Sequence, residues 1–192
     1  MENKDLQEAR TNPEFLQYLE VREKEVMENE DLAGLYEVLD NLLVLDLDEQ
    51  RVNKVYETIL RVAFEGMEDR LNDGGKLNLI NDDIYFIRAF YEHAIEKWST
   101  GNFEGAKQLF FILSQLVDDK LLKSSINIHL IAVAMEIDMD EFYSSQVSTE
   151  QMDNDERYGY FIINFKFDTK EYIAKNKELL GNLIDELGHL LG

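Results

Sequence analysis

The side chains of this 192-residue chain that could bind metals or transfer protons are three histidines and 40 acidic residues. The chain has no cysteine. Without cysteine, the chain can form no disulfide, no thiolate zinc site and no cysteine nucleophile. Glu186 and His189 have the Glu-x-x-His spacing of di-iron bundles, but such a site needs a second motif of this kind and two further carboxylates. We therefore expect no metal site and no cofactor.

Two Asp-x-Asp pairs, beginning at Asp138 and Asp153, have the start of a calcium-binding loop. An EF-hand loop also needs Gly at its sixth position and Glu at its twelfth, and neither pair is followed by these residues. Gly74 and Gly75 lack the Gly-Lys-Ser/Thr sequence of a phosphate loop, and no serine lies in a Gly-x-Ser-x-Gly elbow. Because no catalytic pattern is found, we expect a protein that is not an enzyme.

The charge of the chain restricts its partners. The acidic residues outnumber 19 Lys and Arg, which gives a net charge of −21. Nucleic acids and anionic membranes are bound by Lys and Arg, so both are disfavoured as partners. The first residues are charged and lack the apolar stretch of a signal peptide, and no apolar run approaches the ~20 residues of a membrane span. We expect a cytoplasmic protein with one helical domain over residues 1–192.

Apolar residues at spacings of three and four predict helices along most of the chain. Asn12 and Pro13 have the pattern of an N-cap followed by a first helical residue, and Asp31 and Asp168 are further cap candidates. The charged region 1–30 is expected to contain a more solvated N-terminal helix. The predicted helices are residues 13–28, 31–43, 48–71, 83–99, 103–117, 121–137 and 169–191.

A period-two pattern predicts one strand at residues 158–168, with Phe161, Ile163, Phe165 and Phe167 on one face. A single strand cannot satisfy its own backbone groups. Its partner is residues 77–80, residues 44–47, or a strand of a second chain.

Residues 136–156 contain eight acidic residues and no Lys or Arg. Residues 144–156 are predicted to be an acidic loop. This loop is either a solvated connection or a binding segment for a basic partner. The leucine-rich stripe of the last helix, 169–191, is predicted to dock on the core, and a homodimer seam is the alternative.

Residues 84–118 have the composition of a helical hairpin. Ala94 and Ala106 are small where two helices would approach closely, and Gly101 can take a backbone conformation closed to most residues. Together with Phe103 and Phe110, these residues resemble a tetratricopeptide repeat (TPR), a unit of about 34 residues made of two antiparallel helices. The fold class expected is therefore mainly α: antiparallel helical hairpins in a TPR-like helical bundle, with its core at 84–142 and one short β element near the C-terminus.

Residues 98–116 are also similar to the first repeat of class II type III secretion chaperones. Those proteins are small, acidic, cytoplasmic and helical, and they hold secreted translocator subunits in a groove before export. Flagellar export co-chaperones are similar in size and composition. The resemblance implies a chaperone or adaptor that holds an apolar segment of another protein.

A groove of this kind would lie on the first helix of the hairpin, and its candidate protein-binding residues are Tyr85, Arg88, Tyr91, Glu92 and Trp98. The alternative is that these aromatic side chains belong to the core. A second hypothesis for the function is an acidic inhibitor or immunity-type protein that neutralises a basic partner. Binding by charge would weaken steeply with salt, whereas binding in an apolar groove would not.

Overall fold

The computed structural model describes the backbone of residues 3–72, 75–150 and 155–191, and it is mainly helical. None of the helices in these ranges is long and apolar enough to cross a lipid bilayer. The α-helices that it describes are α1 (Asn3–Thr11), α2 (Pro13–Glu28), α3 (Leu32–Val44), α4 (Glu49–Asn72), α5 (Asp83–Ser99), α6 (Phe103–Leu116), α7 (Lys120–Ala134), α8 (Met139–Gln146), α9 (Thr169–Lys175) and α10 (Lys177–Leu187). Two 3-10 helices are Glu156–Tyr158 and Gly188–Leu191.

The chain divides into two compact units, Met1–Met67 and Glu68–Gly192. In the first unit, α2 packs on α3 and buries Leu19 and Val26, while most of its other side chains are exposed or half-buried.

Side-chain caps start several of the helices, and three predicted caps are confirmed. The Asn12 side chain accepts hydrogen bonds from two backbone N–H groups of the first turn of α2, and Pro13 follows it. Asp31 accepts from Gly34 N–H at the start of α3. Asp168 accepts from the N–H groups of the first turn of α9. Each cap satisfies donors that have no partner within the helix.

The second unit is built on α5, α6 and α7. Helix α6 packs on both α5 and α7, and Ala94 of α5 and Ala106 of α6 have no exposed surface. Gly101 joins α5 to α6 with φ of +76°, a conformation that glycine adopts without a steric penalty. The hairpin predicted at residues 84–118 is therefore formed as two packed helices joined by a tight turn.

The predicted strand at 158–168 is not formed. Its residues 161–165, called segment 161–165 below, make one antiparallel bridge, from Phe165 to Val147. Neither predicted intrachain partner pairs with it. Leu77 makes a parallel bridge to Val117 instead, and residues 44–47 lie where α3 ends. The period-two pattern is satisfied by one face of an irregular segment that packs on helices, so no sheet is needed.

Two further boundaries differ from the sequence prediction. The region predicted as an acidic loop, 144–156, contains the end of α8 and the start of the Glu156–Tyr158 turn, and residues 151–154 lie outside the described residues. The predicted helix at 169–191 is broken at Asn176 into α9 and α10, and it ends in a 3-10 turn. In α10, Leu183 and Leu187 of this leucine-rich region are buried.

Candidate functional site

Segment 161–165 lies on helices of the second unit through alternate side chains. Phe161, Ile163 and Phe165 are 7%, 6% and 7% exposed, while Ile162 and Asn164 between them are half-buried. Ser148 N–H donates to the Asn164 carbonyl at 3.0 Å, next to the bridge at Val147. The segment is therefore held by apolar packing on one face and by backbone pairing along one edge.

A buried polar relay fixes the same segment to α5 and α7. The Ile162 N–H donates to the Tyr91 hydroxyl at 3.0 Å, and that hydroxyl lies 3.2 Å from Nε2 of His129. The other ring nitrogen of His129, Nδ1, is 2.6 Å from the Ser125 carbonyl. Because a carbonyl can only accept, Nδ1 carries the hydrogen and Nε2 accepts from Tyr91. Every polar atom in the relay thus has a partner.

Aromatic rings surround His129 and exclude water from it. The ring centroids of Phe110, Phe142 and Phe165 lie 5.3, 5.4 and 5.9 Å from that of His129. Burial lowers the pKa of His129 from 6.5 to about 4 and raises the pKa of Tyr91 above its ordinary value of 10, because each charged form loses its hydration. His129 is therefore neutral at physiological pH.

Arg88 and Glu92 form the polar edge of this face. Arg88 is 5% exposed, and its Nε donates to Glu92 Oε1 at 2.7 Å. Its guanidinium carbon lies 3.9 Å from the ring centroid of Tyr160, a cation–π distance. Tyr85, one turn earlier on α5, is half-buried.

The five residues predicted to line a groove on α5 therefore do not form an open surface together. Tyr91 is 3% and Trp98 is 1% exposed, and the Trp98 indole N–H donates to the Ile137 carbonyl at 2.8 Å. These two side chains belong to the core, which is the alternative that the sequence left open. The physical reason is that residues 160–162 of the same chain contact Tyr91 and Arg88, where a partner was expected.

An open cleft lies beside segment 161–165 and has a volume of about 320 Å³. We call it the α8 cleft, and it is lined by Tyr143 and by residues 147–149 and 161–164. Tyr143 is 48% exposed. Asp140 precedes it by three residues on α8 and is exposed, so the two side chains share one face of the helix. Glu150, also exposed, directly follows Thr149 of the lining.

A second cavity of the same unit has a volume of about 260 Å³ and lies among α6, α7 and α10. We call it the Lys123 cavity. Its lining residues are Phe111, Ser114, Gln115, Lys123, Asn127, Leu130, Leu180 and Ile184.

Asp138, His189 and His93, which were considered in the sequence, make structural contacts. Asp138 caps α8, and the His189 ring nitrogen Nδ1 lies 3.0 Å from the Glu186 backbone carbonyl. His93 lies 2.8 Å from a Glu96 carboxylate oxygen. In the part of the chain that the structure describes, no group of three His, Asp or Glu side chains is arranged to hold a metal ion.

Sequence reasoning missed both the relay and the cavity. Tyr91 and His129 are 38 residues apart, and no local pattern connects them. The Lys123 cavity does have a local signal in the sequence, because Lys123 and Asn127 are four residues apart on a helix that is otherwise largely apolar. Polar residues at this spacing share one helix face.

Comparison of the chain with protein-family models, with curated proteins and with solved structures finds no match.

Proposed function

We propose that this protein is a non-enzymatic, acidic protein-binding module that holds a segment of another protein at the α8 cleft. The observation that carries the proposal is the composition of that cleft. It combines an exposed aromatic ring, Tyr143, with the irregular segment 161–165 and with exposed carboxylates at Asp140 and Glu150. Partly exposed aromatic residues are enriched at protein–protein interfaces.

The acidic charge of residues 136–150 supports a basic partner. Residues 136–150, which include α8, contain Glu136, Asp138, Asp140, Glu141 and Glu150 but no Lys or Arg, and these carboxylates are all exposed. Opposite charges across an interface increase the rate of encounter and disfavour wrong partners. The proposed partner therefore presents a basic segment with an apolar side chain that contacts Tyr143.

The narrower class that we propose is a cytoplasmic chaperone or adaptor of the secretion or flagellar-export type. It is supported by the resemblance of residues 84–118 to a tetratricopeptide repeat and of residues 98–116 to class II secretion chaperones. The net charge of −21 is in keeping with a protein that shields a basic client. In this proposal the client contacts the α8 cleft, since Tyr91 is covered by the chain itself.

Co-purification with matched surface variants tests the proposal. The tagged wild-type chain is recovered from lysate of its native source, and associated proteins are identified by mass spectrometry. Tyr143→Ser should lose the specific partner. Tyr18→Ser is the control, because Tyr18 is 55% exposed on α2 of the other unit, and it should retain the partner. A partner retained equally by both variants would show that the α8 cleft is not the binding site.

Salt dependence separates this proposal from the acidic-inhibitor alternative, which the exposed carboxylates of residues 136–150 favour. The affinity of the purified complex is measured from 50 to 500 mM NaCl. If the partner contacts Tyr143, its affinity should decrease only modestly as the salt concentration rises, and Tyr143→Ser should lower the affinity strongly at every salt concentration. Neutralisation by charge predicts a steep decrease and little effect of that substitution, because screening acts on exposed charges.

A further inference from the structure

The Lys123 cavity has apolar walls on three helices. Phe111 of α6 and Leu130 of α7 are 1% and 2% exposed. Leu180 of α10 is half-buried, and Ile184 is 53% exposed at the rim. A concave, mostly apolar site with a few polar groups is the usual form of a small-molecule site.

Two polar side chains of the cavity have no partner of their own. Lys123 and Asn127 are both half-buried. In the described part of the chain, neither the Lys123 ammonium nor the Asn127 amide makes a hydrogen bond or an ion pair. The other two polar lining residues do have contacts, since Ser114 donates to the Phe111 carbonyl and Gln115 donates to Ser114.

The charge of the cavity differs from that of the rest of the chain. Its lining includes one lysine and no carboxylate among the described residues, although the chain has 40 acidic residues. By contrast, the cleft between α2 and α4 in the first unit is lined by Glu20, Glu23 and Glu28 together with its cations. The lining therefore offers Lys123 no acidic side chain as a partner.

We propose that the Lys123 cavity binds a small carboxylate with an unbranched alkyl chain. The ligand carboxylate accepts hydrogen bonds from the Lys123 ammonium and the Asn127 amide, and its alkyl chain packs on Phe111, Leu130 and Leu180. At about 30 Å³ for each water-sized group, the volume of about 260 Å³ accommodates a chain of roughly eight carbons. This site is separate from the α8 cleft and does not depend on the function proposed for it.

Calorimetric titration of the 192-residue chain with octanoate tests the site, with 1-octanol as the uncharged probe. Octanoate should bind the wild type saturably, and Lys123→Met should weaken its binding about tenfold or more, because a hydrogen bond to a charged group is lost. Lys120→Met is the matched control. This substitution removes the same charge from an exposed residue one turn earlier on α7. The Lys120→Met variant should bind octanoate as the wild type does. Octanol should bind more weakly than octanoate to the wild type and equally to both variants.

A measurement on the wild type alone keeps the proposal testable if a variant does not fold. Octanoate should shift the backbone amide resonances of Asn127, Leu130 and Leu180 in a heteronuclear NMR titration. The proposal is overturned if octanoate does not bind, if the shifts lie elsewhere, or if octanol binds as tightly as octanoate. Equal losses of octanoate affinity in Lys123→Met and Lys120→Met would also overturn the proposal, since they would show that octanoate responds to the net charge of the chain rather than to this cavity.

Discussion

The Tyr91 hydroxyl lies 3.2 Å from Nε2 of His129, and this contact joins α5 to α7 inside the core of the second unit. The same hydroxyl accepts the Ile162 N–H at 3.0 Å, so one side chain connects two helices and the segment that covers them. Buried polar groups destabilise a fold unless each has a partner, and here the partners come from three distant parts of the chain. The relay therefore specifies where segment 161–165 lies.

Tyr91→Phe removes the hydroxyl and leaves the ring in place. We expect a loss of about 1–3 kcal/mol in the free energy of unfolding, because the Ile162 N–H and His129 Nε2 both lose their buried partner. Urea denaturation measures this change, and amide hydrogen exchange should show faster exchange at Ile162. Tyr143→Phe is the control, since Tyr143 is 48% exposed, and its stability should stay close to that of the wild type. Equal stability of the two variants would contradict the role given to the relay.

The buried His129 predicts a stability that falls with decreasing pH. Its pKa is about 4 in the folded protein, against 6.5 for an ordinary histidine. Between pH 4 and 6.5 the unfolded state binds more protons than the folded state. The stabilising contribution of neutral His129 to the free energy of unfolding is therefore complete above pH 6.5, and it is lost as the pH falls toward 4. From pH 7.5 to 5.0 we expect a loss of about 2 kcal/mol from this group.

Comparison with variants isolates this contribution from that of the many carboxylates. The stability difference between the wild type and His129→Gln, measured by urea denaturation, should shrink by about 2 kcal/mol over the same pH range. His93→Gln replaces a histidine that lies beside Glu96 outside the aromatic cluster, and it is the control for removing an imidazole ring from the chain. A His129→Gln variant with the same pH dependence as the wild type would contradict a neutral buried histidine.

The helices could be predicted from the sequence because their signals are local. Apolar spacing and the caps at Asn12, Asp31 and Asp168 place the starts of α2, α3 and α9 correctly. Helix α8 was missed in large part because Phe142 is its one buried residue, which gives no periodic pattern. The Asp138 cap, the packing of Phe142 and hydrogen bonds from Lys166 to the carbonyls of Ser144 and Gln146 stabilise this helix.

The candidate site could be predicted only in part, because its contacts join residues far apart in sequence. The alternation of Phe161, Ile163 and Phe165 correctly indicates which side chains are buried. It cannot distinguish a strand in a sheet from a segment that packs on helices, since both bury alternate side chains. The contact of Ile162 with Tyr91 is also a tertiary contact, which no local pattern reveals. The sequence therefore predicts a groove on α5 at a place that segment 161–165 covers.

Trp98 reports directly on whether α5 has an open aromatic surface. It is the one tryptophan of the chain, it is 1% exposed, and its ring lies 4.9 Å from that of Phe142. We expect a fluorescence emission maximum at short wavelength that shifts to longer wavelength on unfolding, and little quenching by acrylamide in the folded state. Emission like that of free tryptophan, or easy quenching, would restore Trp98 as a groove residue.

Gly101 and Gly181 predict opposite effects of the same substitution. A Cβ atom added at either glycine meets nothing within 4 Å, so packing does not decide the result. Gly101 has φ of +76°, and alanine there costs about 1–2 kcal/mol because its Cβ crowds the backbone. Gly181 lies inside α10, where alanine stabilises a helix by about 1 kcal/mol relative to glycine. Thermal unfolding should therefore show a lower melting temperature for Gly101→Ala and a higher one for Gly181→Ala. A Gly101→Ala variant as stable as the wild type would mean that the turn between α5 and α6 does not have this conformation.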